Sequence, residues 1–299
     1  MSVVEKGPWQ PTPQTRTFDE FKPFSPSAKW ENAKAPQLDW LVQNSFIRGS
    51  VAILAGDGGL GKSLILQQLL TASWLGKPWL GMHTQKCRSL AVFCEDDVDE
   101  LHRRQERIND HYGCRMNDLE GVLMESRPGR DCVLMQFRQW GGDGQEMPMF
   151  SQVRHAARQH GAQIVVLDTV ADVFSGNEVD RNQPRTFIRA LRKLAIEIQG
   201  VVILTQHPSN EGMSSGSGRS GSTGWHNSVR SRLYLTMPPK QKDDEPTNER
   251  FLKTMKQNSG KWGGKISFTW DNGVFRLTEN APVGRPYYAD ADPQHAWEE

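Results

Sequence analysis

The chain has 299 residues, enough for one large α/β domain with appendages, and its 36 Lys and Arg against 35 Asp and Glu leave a net charge of +1. A balance so near zero excludes a general attraction to nucleic acid or to an anionic membrane, so any polyanion contact must come from local basic clusters. No apolar run has bilayer length, Met1 is followed by charged residues and prolines, and the four cysteines fit no C-x-x-C spacing; the expectation is a cytoplasmic protein with free thiols and no membrane association.

Residues 1–37 are rich in Pro, Ser, Thr and Lys and lack periodicity, which reads as an extended or disordered N-terminal arm. A core spanning residues 38–278 follows, and residues 279–299 read as a C-terminal tail. The core opens on a buried apolar strand, Val51 to Ala55. It runs into Gly56-Asp57-Gly58-Gly59-Leu60-Gly61-Lys62-Ser63, a match to G-x-x-x-x-G-K-[ST] at every defined position. A helix with a broad apolar face begins at Leu64.

Strand, glycine turn and helix form the geometry that binds phosphate. The helix N-terminus offers unpaired N–H groups and the positive end of the macrodipole, and glycines let the backbone curl without Cβ clashes. Residues 56–64 are therefore the expected ATP-binding loop, with Lys62 reaching the β- and γ-phosphates and Ser63 placed to hold Mg²⁺.

The next apolar run, Ser89 to Cys94, ends in Glu95-Asp96-Asp97. Ligands of open α/β sheets sit at the carboxyl ends of strands, so Glu95 is the candidate base that orients the attacking water. The competing reading is that these carboxylates cap the following helix, predicted over Val98 to about His111. Residues 113–147 are broken by Gly and Pro, and strands there cannot be assigned. A helix predicted over Met149 to Gln159 leads into Gln163 to Asp168, an apolar strand ending in one aspartate, which is a Walker B pattern for Mg²⁺. No glutamate follows Asp168, so the catalytic acid must come from elsewhere, and Glu95 is the comparable carboxylate.

Asp172 to Pro184 reads as a polar loop and Arg185 to Gln199 as an amphipathic helix. Arg181, Arg185, Arg189, Arg192 and Lys193 form a basic row, either a solvated face or a polyanion contact. The strand Val201 to Thr205 closes on Gln206 and His207, which either sense the γ-phosphate or cap a helix. Pro208 to Gly224, rich in Ser and Gly with Arg219 inside it, is either a linker or a loop ordered by nucleic acid. From Ser228 the pattern changes to short antiparallel strands over 229–235, 251–256, 266–270 and 274–277, with Asp271-Asn272-Gly273 as a hairpin turn. A charged loop, Lys240 to Arg250, separates the first two.

The order of P-loop, glutamate strand end, lone Walker B aspartate, Gln-His strand end and basic C-terminal hairpin resembles the RepA-type ATPases of plasmids and phages. That family includes hexameric replicative helicases. The resemblance implies an α/β RecA-like P-loop NTPase core: a mostly parallel central sheet, helices on both faces and C-terminal antiparallel strands. It also implies a homo-oligomeric ring, hexameric by analogy, that binds ATP and Mg²⁺ between subunits and grips single-stranded DNA. A neighbour's cation would then reach the γ-phosphate. Related DnaB-like helicases carry Lys-x-Arg late in the core, whereas this chain reads Lys256-Gln257-Asn258. The finger role therefore moves to Arg230 or Arg232, which strand alternation puts on one face.

Overall fold

The computed structural model describes residues 26–138, 144–209, 212, 218, 221–238, 247–260 and 263–278. The remainder of the N-terminal arm, most of the Ser/Gly loop with Arg219, most of the charged loop after Lys240, and the C-terminal tail lie outside the described residues. The chain divides into two compact units, residues 1–37 and 38–299. Of the first unit, one 3-10 turn is described, Ser27–Trp30, and it buries no residue.

The second unit runs β1 (Trp40–Val42), β2 (Phe46–Ile47), β3 (Ser50–Gly56), α1 (Lys62–Leu75), β4 (Arg88–Phe93), α2 (Val98–Tyr112) and β5 (Val122–Ser126). It continues with β6 (Met135–Gln136), β7 (Gln145–Glu146), α3 (Pro148–His160), β8 (Ala162–Asp168), α4 (Val170–Val173), β9 (Phe174–Ser175) and α5 (Asn182–Glu197). The last elements are β10 (Val201–Gln206), α6 (Thr223–Ser228), β11 (Ser231–Thr236), β12 (Glu249–Gln257), β13 (Lys265–Asp271) and β14 (Val274–Leu277).

Nine of the strands form one sheet in the order β14-β13-β12-β11-β3-β10-β8-β4-β5. The six from β11 to β5 are mutually parallel, and β12, β13 and β14 extend the sheet antiparallel. Interior strands such as β3 are buried at every position, as expected where helices cover both faces of a parallel sheet. The pleat divides their side chains between two cores. Ala52, Leu54, Ile164, Val166 and Ile203 pack on the side of α1 and α2. Val51, Ile53, Val165, Leu167, Val202 and Leu204 pack on the side of α3 and α5.

A buried polar ladder sets the register of α1 against α2. Gln67 donates to the Leu101 carbonyl at 2.9 Å and to Gln105 at 3.0 Å, while Gln105 donates to Thr71 and to Asn109, both at 2.9 Å. Each of these groups would cost about 1–3 kcal/mol if left unpaired, so the two helices have one favoured alignment.

Several expectations need correction. The region from 113 contains β5, a parallel edge strand paired with β4, and a small sheet of order β7-β6-β9. The polar stretch from Asp172 is not a continuous loop. It holds the end of α4 and all of β9, and α5 already begins at Asn182. The Ser/Gly stretch ends in α6, whose Trp225 is fully buried against Phe174 and Phe187 and anchors it. The strand expected at 229–235 begins at Ser231 and joins β3 in parallel, so the antiparallel pattern starts one strand later. Among the described residues no helix is long and apolar enough to cross a membrane, and all four cysteines are free.

Candidate functional site

β3 delivers Gly56 to the carboxyl edge of the sheet, and α1 starts six residues later at Lys62. The turn between them requires backbone that only glycine takes readily: Gly61, the N-cap of α1, has φ 93° and ψ 34°. No side chain caps α1, and its first helical bond is Ile65 N–H to the Gly61 carbonyl. The N–H groups of Lys62, Ser63 and Leu64 precede that bond and stay available to an anion. The Leu64 side chain belongs to the core, as does that of Leu60, so only their backbones can serve the loop. Gly58 and Gly59 are exposed, and Asp57 is half-buried.

The Lys62 side chain folds back into the loop. Its Nζ donates to the carbonyls of Gly56 at 2.8 Å and Asp57 at 3.0 Å and lies 3.4 Å from His207 Nδ1. Burial lowers its pKa below that of an ordinary lysine, opposed by the negative charges of Asp168, Glu95 and Asp57. Five of the predicted residues, Gly56, Asp57, Glu95, Asp168 and His207, therefore act on one ammonium group.

Asp168 ends β8, is 4% exposed and is joined to Thr169 by a cis peptide. Its carboxylate is hydrogen-bonded to the Ser63 hydroxyl and accepts a further bond from Thr205 Oγ1. Burial raises its pKa, against the pull of those two hydroxyls and the Lys62 charge. Ser63 and Asp168 thus meet across the gap between β3 and β8, which the intervening β10 fixes at two strand spacings. These are hard oxygen donors, the set that suits Mg²⁺. Among the described residues no group of three His, Cys, Asp or Glu could hold a metal unaided. The donor set therefore fits a Mg²⁺ ion that takes its other ligands from phosphates and water.

The acidic run divides its duties. Asp97 is the N-cap of α2, accepting from Glu100 N–H at 2.7 Å. Asp96 takes a two-pronged contact from Arg104 at 2.5 and 3.0 Å, and its carbonyl accepts from Ser126 Oγ at 2.8 Å. Glu95 caps nothing and is exposed. It lies two residues beyond the Phe93–Asp168 register pair, and Cys94 N–H binds the Asp168 carbonyl at 2.8 Å. The cap reading thus holds for Asp97, and Glu95 faces the edge where Lys62 and Asp168 converge.

Whether Gln206 and His207 cap a helix turns on residues after 209 that lie largely outside the described residues. His207 is exposed beside Lys62, while Gln206 is 3% exposed with both amide atoms unpartnered among the described residues. The two arginines differ from the sequence expectation. Arg232 lies within β11, is 2% exposed and donates to the Gly218 carbonyl. Arg230 precedes the strand and is exposed; its N–H binds the Val51 carbonyl, at the opposite end of β3 from the P-loop. Its charge lowers the pKa of both Arg192 and Lys256, whose larger shift comes from burial. Sequence reasoning missed Thr205, Arg104 and Tyr234, whose hydroxyl lies 3.5 Å from Asp57 Oδ1. A hydroxyl one residue before an apolar strand's polar end was the available signal for Thr205.

A family model described as an AAA domain matches residues 17–213 of the chain. The match spans the P-loop, Glu95, Asp168, Gln206 and His207 and stops before Arg230 and Arg232. No curated protein matches the chain.

Proposed function

The chain belongs to the AAA domain family of P-loop ATPases, and from that premise we propose that it is a RecA-like, DNA-dependent ATPase. In this reading it works as a ring, in the manner of the RepA-type replicative helicases of phages, plasmids and other mobile elements. The observation that carries the catalytic half is the convergence of Lys62, Ser63 and Asp168 beneath the P-loop with Glu95 at the adjoining strand end.

The P-loop amides and Lys62 bind the ATP phosphates, and Lys62 exchanges its bonds to the Gly56 and Asp57 carbonyls for phosphate oxygens. Ser63 and Asp168 would hold Mg²⁺, which would supply neutralisation of phosphate charge. Glu95, exposed and uncommitted to the helix cap, orients the attacking water and takes its proton. His207 touches Lys62 and Gln206 is buried beside it, so this strand end registers the γ-phosphate and passes the change to the Ser/Gly loop. Single-stranded DNA is gripped by that loop and neighbouring basic residues.

The ring half rests on Arg230. It is exposed and separated from its own P-loop by the length of β3, about 16 Å at the usual strand rise. A cation so placed serves a neighbour's nucleotide rather than its own. Arg232, buried and bonded to Gly218, is the weaker finger.

Steady-state ATPase with and without single-stranded DNA tests the reading. Turnover stimulated by DNA is expected, with Lys62→Ala losing nucleotide binding and Glu95→Gln losing hydrolysis while still binding ATP. Absence of hydrolysis sinks the ATPase motor. Hydrolysis without strand displacement on a forked duplex would mark a regulator in place of a helicase.

A further inference from the structure

The AAA domain match ends at residue 213, yet the P-loop rests on the C-terminal hairpin far beyond it. A Cβ added to Gly61 would lie 2.6 Å from Phe275 Cζ and 2.9 Å from its Cε2. The ring is therefore seated on the backbone from which α1 starts. Phe275 is 2% exposed and packs edge-on against Phe268, with ring centroids 5.1 Å apart.

The main chain of Phe275 is gripped as firmly as its ring. Gln68, on α1 and 1% exposed, accepts from Phe275 N–H at 2.8 Å and donates to the Phe275 carbonyl at 3.1 Å. β14 is the edge of the sheet, so this amide takes the place of a further strand. One helix thus carries the phosphate-binding amides at its start and, within two turns, a clamp on the residue that presses against that start.

We infer that Phe275 is a positioning residue for nucleotide binding: its ring, fixed by Gln68, holds Gly61 and the P-loop in the phosphate-receiving shape, making the C-terminal hairpin part of the nucleotide site. The physical ground is preorganisation. A loop with four glycines has unusual conformational freedom, and any freedom it keeps must be given up when phosphate binds. A rigid ring against Gly61 removes that freedom beforehand. The inference rests on the reading that the P-loop binds ATP.

The test compares Phe275→Leu with Phe268→Leu in the full chain. Both shorten an aromatic in the same cluster, but only the first withdraws a ring from Gly61. A fluorescent ATP analogue with Mg²⁺ is titrated into each variant, and amide hydrogen exchange of residues 56–63 is followed without nucleotide. Phe275→Leu should weaken nucleotide binding about tenfold and speed P-loop exchange by a similar factor. Phe268→Leu should lower the thermal midpoint while leaving both nearly unchanged. Equal effects of the two variants, or unaltered P-loop exchange in Phe275→Leu, overturn the inference. If the wild-type chain binds no ATP while exchange still responds to Phe275→Leu, the nucleotide reading falls and the brace stands.

Discussion

Asp168 shows how one residue can cost stability where it is needed. Burial raises its pKa above the ordinary aspartate value of 3.8, so the folded state holds its proton more tightly than the unfolded state. Its contribution to stability is complete below 3.8 and is lost as the pH rises through the raised value. Ionisation on the way to neutral pH is therefore a burden on the fold. Asp168→Asn, which cannot ionise, should raise stability at pH 7–8. Thermal melts across pH should show the gain shrinking toward acid, and Mg²⁺-dependent nucleotide binding should fall in the same variant. Thr205, fully buried and donating to Asp168, aims that carboxylate. Thr205→Val should raise the Mg²⁺ concentration needed for half-maximal hydrolysis several-fold, and Thr205→Ser, which keeps the hydroxyl, should restore it.

At the scale of elements, α2 connects the P-loop helix to the turn that carries Glu95. Its polar ladder fixes it on α1, its N-cap is Asp97, and its Arg104 clamps Asp96. The Arg104 pair is half-buried, so its value for global stability is modest, at about 1 kcal/mol. Its value for position is larger, because Asp96 adjoins Glu95. Arg104→Ala is expected to lower kcat about tenfold, with KM for ATP little changed and the melting temperature down by only a few degrees. An equal loss in KM would mean that the clamp serves ATP binding rather than the position of Glu95.

For the whole molecule, the near-neutral charge makes the distribution of cations the informative quantity. At the end of the sheet remote from the P-loop, burial and then the nearby charge of Arg230 lower the pKa of both Arg192 and Lys256. If Arg230 reaches a neighbour's ATP, Arg230→Ala should bind nucleotide normally and lose most hydrolysis, by about 10³-fold for a finger in trans. Adding it to wild-type protein should depress activity more than dilution alone. Arg232→Ala should instead lower stability, since it removes a buried contact to Gly218. If single-stranded DNA stimulates turnover as proposed, the stimulation should fall steeply between 50 and 200 mM salt, as phosphate contacts require.

The sequence by itself determined the local chemistry. Glycines, a lysine and a serine between an apolar strand and a helix can fold into little other than a phosphate loop, and apolar runs ending in Glu95, Asp168 and Gln206 announce strands of a covered parallel sheet. These signals are legible because each is carried by neighbours in the chain. Tertiary structure decided what depends on residues far apart in sequence. It joined β11 in parallel to β3, buried Arg232 while exposing Arg230, and set Thr205 on Asp168 and Phe275 on Gly61. The reason is that strand order and side-chain packing arise from the whole sheet closing on two cores, and no window of the sequence contains both partners of such a contact.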